Sequence, residues 1–301
     1  MKFGKLADIS QVDFSLPETD PRTMEVLGGA PSSSPVKVFT GCPKWASKEW
    51  VGVLFPPKTK QADYLQWYSQ SFNTIELNTT HYRIPKIETV KKWKESAHHD
   101  FIFCPKLPQT ISHYAKLLNQ GQTTAFCEAI RHFEEKLGPT FVQMHPSFGP
   151  EQIGNLEIFL SAWPSDLPIL FEFRHEGWFQ DQLLIGSVYE LLTQYGSGAL
   201  ITDVSGRRDV LHMSLTNRIL MLRFVGNALH PTDFQRVDDW MKRIKAWVKE
   251  GLEEVYFFAH EPADLLASDL GKYAIQQFNA TLGLSLSIPG VPDTNSQMSL
   301  F

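Results

Sequence analysis

Three carboxylates and three cations stand at comparable places in this chain. Glu76, Glu172 and Asp203 face Lys106, Arg174 and Arg223, each at or near the end of a short segment with strand character. Arginine forks and a lysine of this kind hold a phosphate or a carboxylate, and a carboxylate beside them serves as general base. Asn78, Gln143, His145 and His260 close neighbouring segments, while His113 and His175 follow in loops as acid or base candidates. The bland alternatives are a satisfied ion-pair network for the charges and loop anchoring for the histidines. A divalent metal on Glu76, His145, Glu172, Asp203 and His260 is a further alternative. No HExxH or other tight ligand spacing supports it, and interleaved cations oppose it, so no cofactor is expected. Among the aromatics expected on the same side, Trp45 and Trp178 are the ligand-stacking candidates, with Trp50, Tyr82, Tyr114 and Phe148 around them. Trp240 and Trp247, with Ile244 between them on a helical stretch, read as core.

Such side chains need elements to aim them. Ile169 to His175 begins as a strand after Pro168, and period-two alternation puts Phe171 and Phe173 on one face and Glu172 and Arg174 on the other. Comparable runs fall at 36–41, 74–78, 101–106, 140–145, 199–203, 219–224 and 255–260. Helical patterns lie between them near 61–71, 86–96, 122–137, 151–162, 180–195, 233–250 and 262–280. Eight strands alternating with helices over about 250 residues predict an α/β fold, a (β/α)8 TIM barrel. With the Glu172 and Arg174 face inward, Glu76, Asn78, Lys106, Gln143, His145, Asp203, Arg223 and His260 are expected to share the inner top. An open doubly wound sheet is the alternative, but no GxGxxG follows the first strand. Residues 1–35, rich in Pro, Gly and Ser, read as a loop-like N-terminal extension; 36–282 form the barrel domain and 283–301 a flexible tail.

The 301-residue chain is 43% hydrophobic and 20% charged, with a net charge of -5. That balance argues against a protein that coats nucleic acid by bulk electrostatics, while leaving room for a local basic site. No apolar run reaches the roughly 20 residues that span a bilayer. Three cysteines without CxxC spacing and an N-terminus unlike a signal peptide point to the cytoplasm.

Several ordered blocks carry a family resemblance. Gly41, Trp45, Trp50-Val51-Gly52 and Phe55-Pro56 come first, then Phe72-Asn73-Thr74-Ile75-Glu76-Leu77-Asn78 and Lys106-Leu107-Pro108. Leu137-Gly138-Pro139, Pro146-Ser147-Phe148 and Phe171-Glu172-Phe173-Arg174-His175 follow. From about 36 to 280 the chain resembles family 72 of the domains of unknown function. The resemblance implies a TIM barrel and no reaction. Cys42 stands where that family usually has a small hydroxyl residue, and His260-Glu261 where it commonly has asparagines.

The end, Gln297-Met298-Ser299-Leu300-Phe301, resembles the short peptide by which bacterial proteins bind the replication sliding clamp. A flexible tether presenting a glutamine and an apolar Leu-Phe pair suits docking into a preformed groove. Together these readings point to a protein that binds or acts on nucleic acid in replication or repair. The substrate-binding set is Asn78, Lys106, His113, Gln143, Arg174, Arg223, Trp45 and Trp178, and the catalytic set is Glu76, Glu172, Asp203 and His175. The alternatives are a small-molecule hydrolase, lyase or isomerase on an anionic or sugar-like substrate, and a non-catalytic adaptor. No membrane partner is expected.

Overall fold

A computed structural model describes residues 4–290, so the clamp-like end lies outside the described residues. The strands are β1 (Lys37–Gly41), β2 (Thr74–Leu77), β3 (Ile102–Pro105), β4 (Thr140–Gln143) and β5 (Ile169–Glu172). After them come β6 (Gly198–Ala199), β7 (Ile201–Asp203), β8 (Ile219–Val225) and β9 (Glu254–His260). The helices are α1 (Pro21–Leu27), α2 (Tyr64–Ser71), α3 (Thr79–Tyr82), α4 (Ile87–Ser96) and α5 (Gln120–Arg131). α6 (Ile153–Ala162), α7 (Gln182–Gln194), α8 (Pro231–Glu250) and α9 (Asp264–Leu282) complete them. The expected sixth strand is split at Leu200, whose N–H goes to Phe171 O at 2.9 Å.

All strand pairing is parallel, in three sheets ordered β1-β9-β8-β7, β2-β3 and β4-β5-β6. This is an α/β fold with helices as crossovers. Contacts also join one sheet to the next. Glu76 N–H donates to Cys42 O at 3.3 Å, and Leu107 N–H donates to Phe141 O at 2.9 Å. Glycine is required at Gly41, where a Cβ would sit 2.1 Å from Thr74 O.

One side of the strands faces a small apolar cluster of Cys104, Phe141, Leu170, Leu200, Met221 and Phe258. Two residues further along, the same side carries Lys106, Gln143, Glu172, Thr202, Arg223 and His260, as strand alternation demands. The other side packs on helices; Leu222, Phe224 and Phe257, for example, meet Trp240, Ile244 and Phe278. A polar layer therefore sits on an apolar floor, at the strands' C-terminal ends.

The N-terminal extension contains a helix that its loop-like composition concealed. Asp20 caps it by accepting Arg22 N–H at 3.0 Å, Pro21 takes the first position, and Gly28 ends it at φ 87°. The extension is strapped to the far half of the chain. Gly206 N–H donates to Gly4 O at 2.6 Å, Arg243 to Pro17 O at 2.8 Å, and Trp247 Nε1–H to Thr19 Oγ1 at 3.1 Å.

Candidate functional site

Arg223, near the end of β8, is the hub of the polar layer. Its guanidinium grips Glu76 through Nε and Nη2, both at 2.9 Å, and reaches Glu172 through Nη1 at 2.6 Å. Asn78 Nδ2 donates to the Glu76 carboxylate at 2.9 Å, and His260 Nε2 lies 2.7 Å from it. Glu172 also accepts from Gln143 Nε2 at 2.9 Å and from Arg174 Nε at 2.8 Å, and Lys106 Nζ donates to Gln143 Oε1 at 2.9 Å. Eight residues that period-two alternation placed on one face thus form one continuous lattice.

The lattice fixes protonation. Burial pushes both carboxyls up, but the charges of Arg223 with His260 on Glu76, and of Arg174 with Arg223 on Glu172, outweigh it. Glu172 is held at about 2 and Glu76 well below its ordinary range. A carboxylate that weakly basic, with its lone pairs already engaged, is a poor proton acceptor. Its part is to hold cations in place. Burial, followed by Arg223, lowers the Lys106 ammonium to about 8, although Glu76 and Glu172 pull it the other way. Burial likewise lowers His260, although the Glu76 carboxylate 2.7 Å from its Nε2 pulls the other way.

Three expected site residues lie elsewhere or are enclosed. Asp203 shares the helix-facing side of β7, because Leu200 and Thr202 take the other. Its carboxylate meets Arg236 at 2.7 Å, Trp240 Nε1 at 2.8 Å and Arg208. Placing Asp203 inward by its polarity was a parity error; a buried aspartate suits the helix side once α8 supplies donors. Trp178 is fully buried, gives Nε1–H to Phe148 O at 2.7 Å and packs on Phe173, so it braces its loop and offers no stacking surface. His175 accepts Gly177 N–H at 3.0 Å, capping the turn at Glu176–Trp178. Trp45 is half-buried against Trp93. The aromatics that do reach solvent are Tyr82 and Tyr114, 70% and 74% exposed.

Beside the lattice stands a row of imidazoles. His113 lies between His81 and His145, with ring centroids 4.9 and 5.1 Å away. His81 was missed as a site residue because it follows the strand end. Its signal is Thr80-His81 directly after Asn78, in the single turn of α3, where Thr80 Oγ1 bonds Lys106 O at 2.7 Å and His81 Nδ1 bonds Leu107 O at 3.0 Å.

The proposed metal set does not fit an ion. The Glu76 oxygens are taken by Arg223, His260 and Asn78, and Asp203 belongs to another network. His98, His99 and Asp100 do gather possible ligand atoms within 4.8 Å, but they are exposed and precede β3, away from the strands' C-terminal ends. Burial raises the Cys42 thiol far above its ordinary range, which leaves it no nucleophilic role.

The sequence matches, over residues 39–292, the family described as "Protein of unknown function DUF72". It is 26% identical over 278 residues to UPF0759 protein YecE of Escherichia coli strain K12, covering 86% of this chain and 99% of that protein. It is 24% identical over 151 residues to UPF0759 protein YunF of Bacillus subtilis strain 168, covering 47% of this chain and 52% of that protein. A crystal structure of a DUF72 family protein from Enterococcus faecalis V583 superposes with a TM-score of 0.64 at 20% identity, covering 83% of this chain and 99% of that one.

Proposed function

The chain belongs to the DUF72 family, and from that premise we propose that it binds the phosphate of a nucleic-acid ligand at its strands' C-terminal ends. The three sheets are read as arcs of one closed (β/α)8 barrel, the contacts at Cys42–Glu76 and Leu107–Phe141 being its seams. The observation that carries the phosphate reading is the environment of the Lys106 ammonium. Arg174 and Arg223 are paired with Glu172 and Glu76, whereas the buried Lys106 Nζ donates to a neutral amide oxygen, Gln143 Oε1. A buried ammonium in that position favours an added anion. Tyr82 and Tyr114, exposed and next in sequence to His81 and His113, supply faces on which a base can stack.

Fluorescence anisotropy with a labelled single-stranded oligonucleotide at low salt tests this. The wild type should bind, with affinity falling as pH rises through about 8, where Lys106 loses its proton. Lys106→Met should weaken binding by about tenfold or more, the worth of one charge-assisted hydrogen bond. No binding by the wild type would remove the nucleic-acid reading.

The tail completes the proposal. Gln297, Met298, Leu300 and Phe301 are read as a docking peptide for a bacterial sliding clamp, which would deliver the protein to replicating or damaged DNA. Surface plasmon resonance on an immobilised clamp should show binding by the full chain and none after deletion of Gln297–Phe301. Equal signals from the two would sink the clamp role while leaving the phosphate site standing.

A further inference from the structure

We propose that His81 and His113 make this site selective for phosphate monoesters over phosphodiesters, an inference that rests on the phosphate reading above. The argument starts from which ring nitrogen carries the proton. Leu107 O can only accept, so His81 holds its proton on Nδ1 and presents the Nε2 lone pair. Ser112 spends its single hydroxyl proton on Pro108 O at 3.0 Å. Its oxygen, 2.9 Å from His113 Nδ1, therefore accepts from that nitrogen, and His113 too presents a bare Nε2. His145 is the reverse: its Nδ1 accepts Ser147 N–H at 3.1 Å, which leaves a proton on Nε2.

Two acceptors thus stand among donors. Burial and the nearby charges of Lys106, Arg174 and, for His81, Arg223 lower His81 to about 4. Burial, His81, His145, Lys106 and Arg174 lower His113 to about 3. Near neutral pH both rings are uncharged, with lone pairs open. A diester oxygen carries no proton and meets such a lone pair with repulsion. A monoester, whose second ionisation lies near 6, can hold one proton between its oxygen and Nε2 while another of its oxygens takes Lys106. The ligand class that satisfies acceptors and donors together is a phosphate monoester: a phosphorylated end of a nucleic acid or a small phosphorylated metabolite.

Isothermal titration of the full chain with methyl phosphate and dimethyl phosphate at pH 6.5, where Lys106 already holds its proton, in two buffers of different ionisation enthalpy, reads this directly. Methyl phosphate should bind about tenfold tighter or more and take up a proton, whereas dimethyl phosphate should take up none. The second charge of a monoester favours it at any cationic site, so proton uptake is the deciding readout. His81→Phe and His113→Phe should each diminish the uptake and narrow the preference for methyl over dimethyl phosphate, because the lone pair that repels the diester is gone, with the thermal midpoint confirming that each variant folds. If the wild type binds neither ester, the phosphate reading itself fails. Binding of both without proton uptake overturns only the histidine inference. A 5′-phosphorylated oligonucleotide that outcompetes its unphosphorylated form identifies the monoester source as a nucleic-acid end; methyl phosphate binding without that advantage identifies a small molecule.

Discussion

Arg223→Met should lower the thermal unfolding midpoint by about 10 °C, the largest single-residue effect outside the apolar core. Arg223 is 1% exposed and neutralises two carboxylates that are themselves buried. Removing one member of a buried ionic network costs about 3–5 kcal/mol, because the carboxylates left behind lose their shared cation with no water to replace it. At roughly 2–4 °C per kcal/mol for a domain of this size, that gives the stated shift. The same physics predicts a rescue. Adding Glu76→Gln to Arg223→Met neutralises the carboxylate that has lost its arginine while keeping an acceptor for Asn78, and Glu172 stays paired with Arg174. The double variant should therefore recover about half of the loss in scanning calorimetry. If it is less stable than the single variant, the cost lies in lost packing around the guanidinium and the electrostatic account is wrong.

Acid should unfold the protein in two stages. Burial lowers His81 and His212 from 6.5 to about 4, so the folded state binds fewer protons than the unfolded chain in that range. Stability is then lost progressively as pH falls from about 6.5 to 4. The carboxylates act lower down. Glu172 is held at about 2 against an ordinary 4.5, so its contribution is complete above 4.5 and disappears as pH falls through 2. A shift of that size in a fully buried group corresponds to about 3 kcal/mol, and Glu76 and Asp203, both depressed, act in the same direction. Urea unfolding measured from pH 7 to 2 should resolve both stages, and Glu172→Gln should shrink only the lower one. A single loss completed above pH 4.5 would contradict the ion-pair account of this site.

Much of this arrangement was legible in the chain. Alternation from Phe171 through Arg174, repeated in other strands, placed Glu76, Lys106, Gln143, Arg223 and His260 on one face, and they meet there. It failed at Asp203 because polarity, rather than the step of two from Leu200 to Thr202, decided the face. Trp178 was misjudged since residue type does not reveal whether an indole N–H will find a carbonyl such as Phe148 O. Helix α1 was overlooked although Asp20-Pro21 and Gly28 are start and stop signals; the surrounding prolines and serines dominated the reading. His81 belongs to a turn whose direction is set by Thr80 gripping Lys106, a long-range bond that no local pattern encodes.

The pairing of the first strand with the last also governs how the molecule must be made. Lys37 lies opposite Glu254, 217 residues away in the chain, and β1 has its other ladder partners in Val255 to Phe258. At synthesis rates of 5–20 residues per second, about 10–40 s separate the emergence of the two strands from the ribosome. Throughout that interval β1 presents an unpaired edge, and the N-terminal segment waits for Gly206, Arg243 and Trp247, the residues to which it is later strapped. Closure of the β1–β9 ladder therefore comes late, and until then Val38 and Phe39 lack Val255 and Tyr256, the residues they lie against in the folded protein.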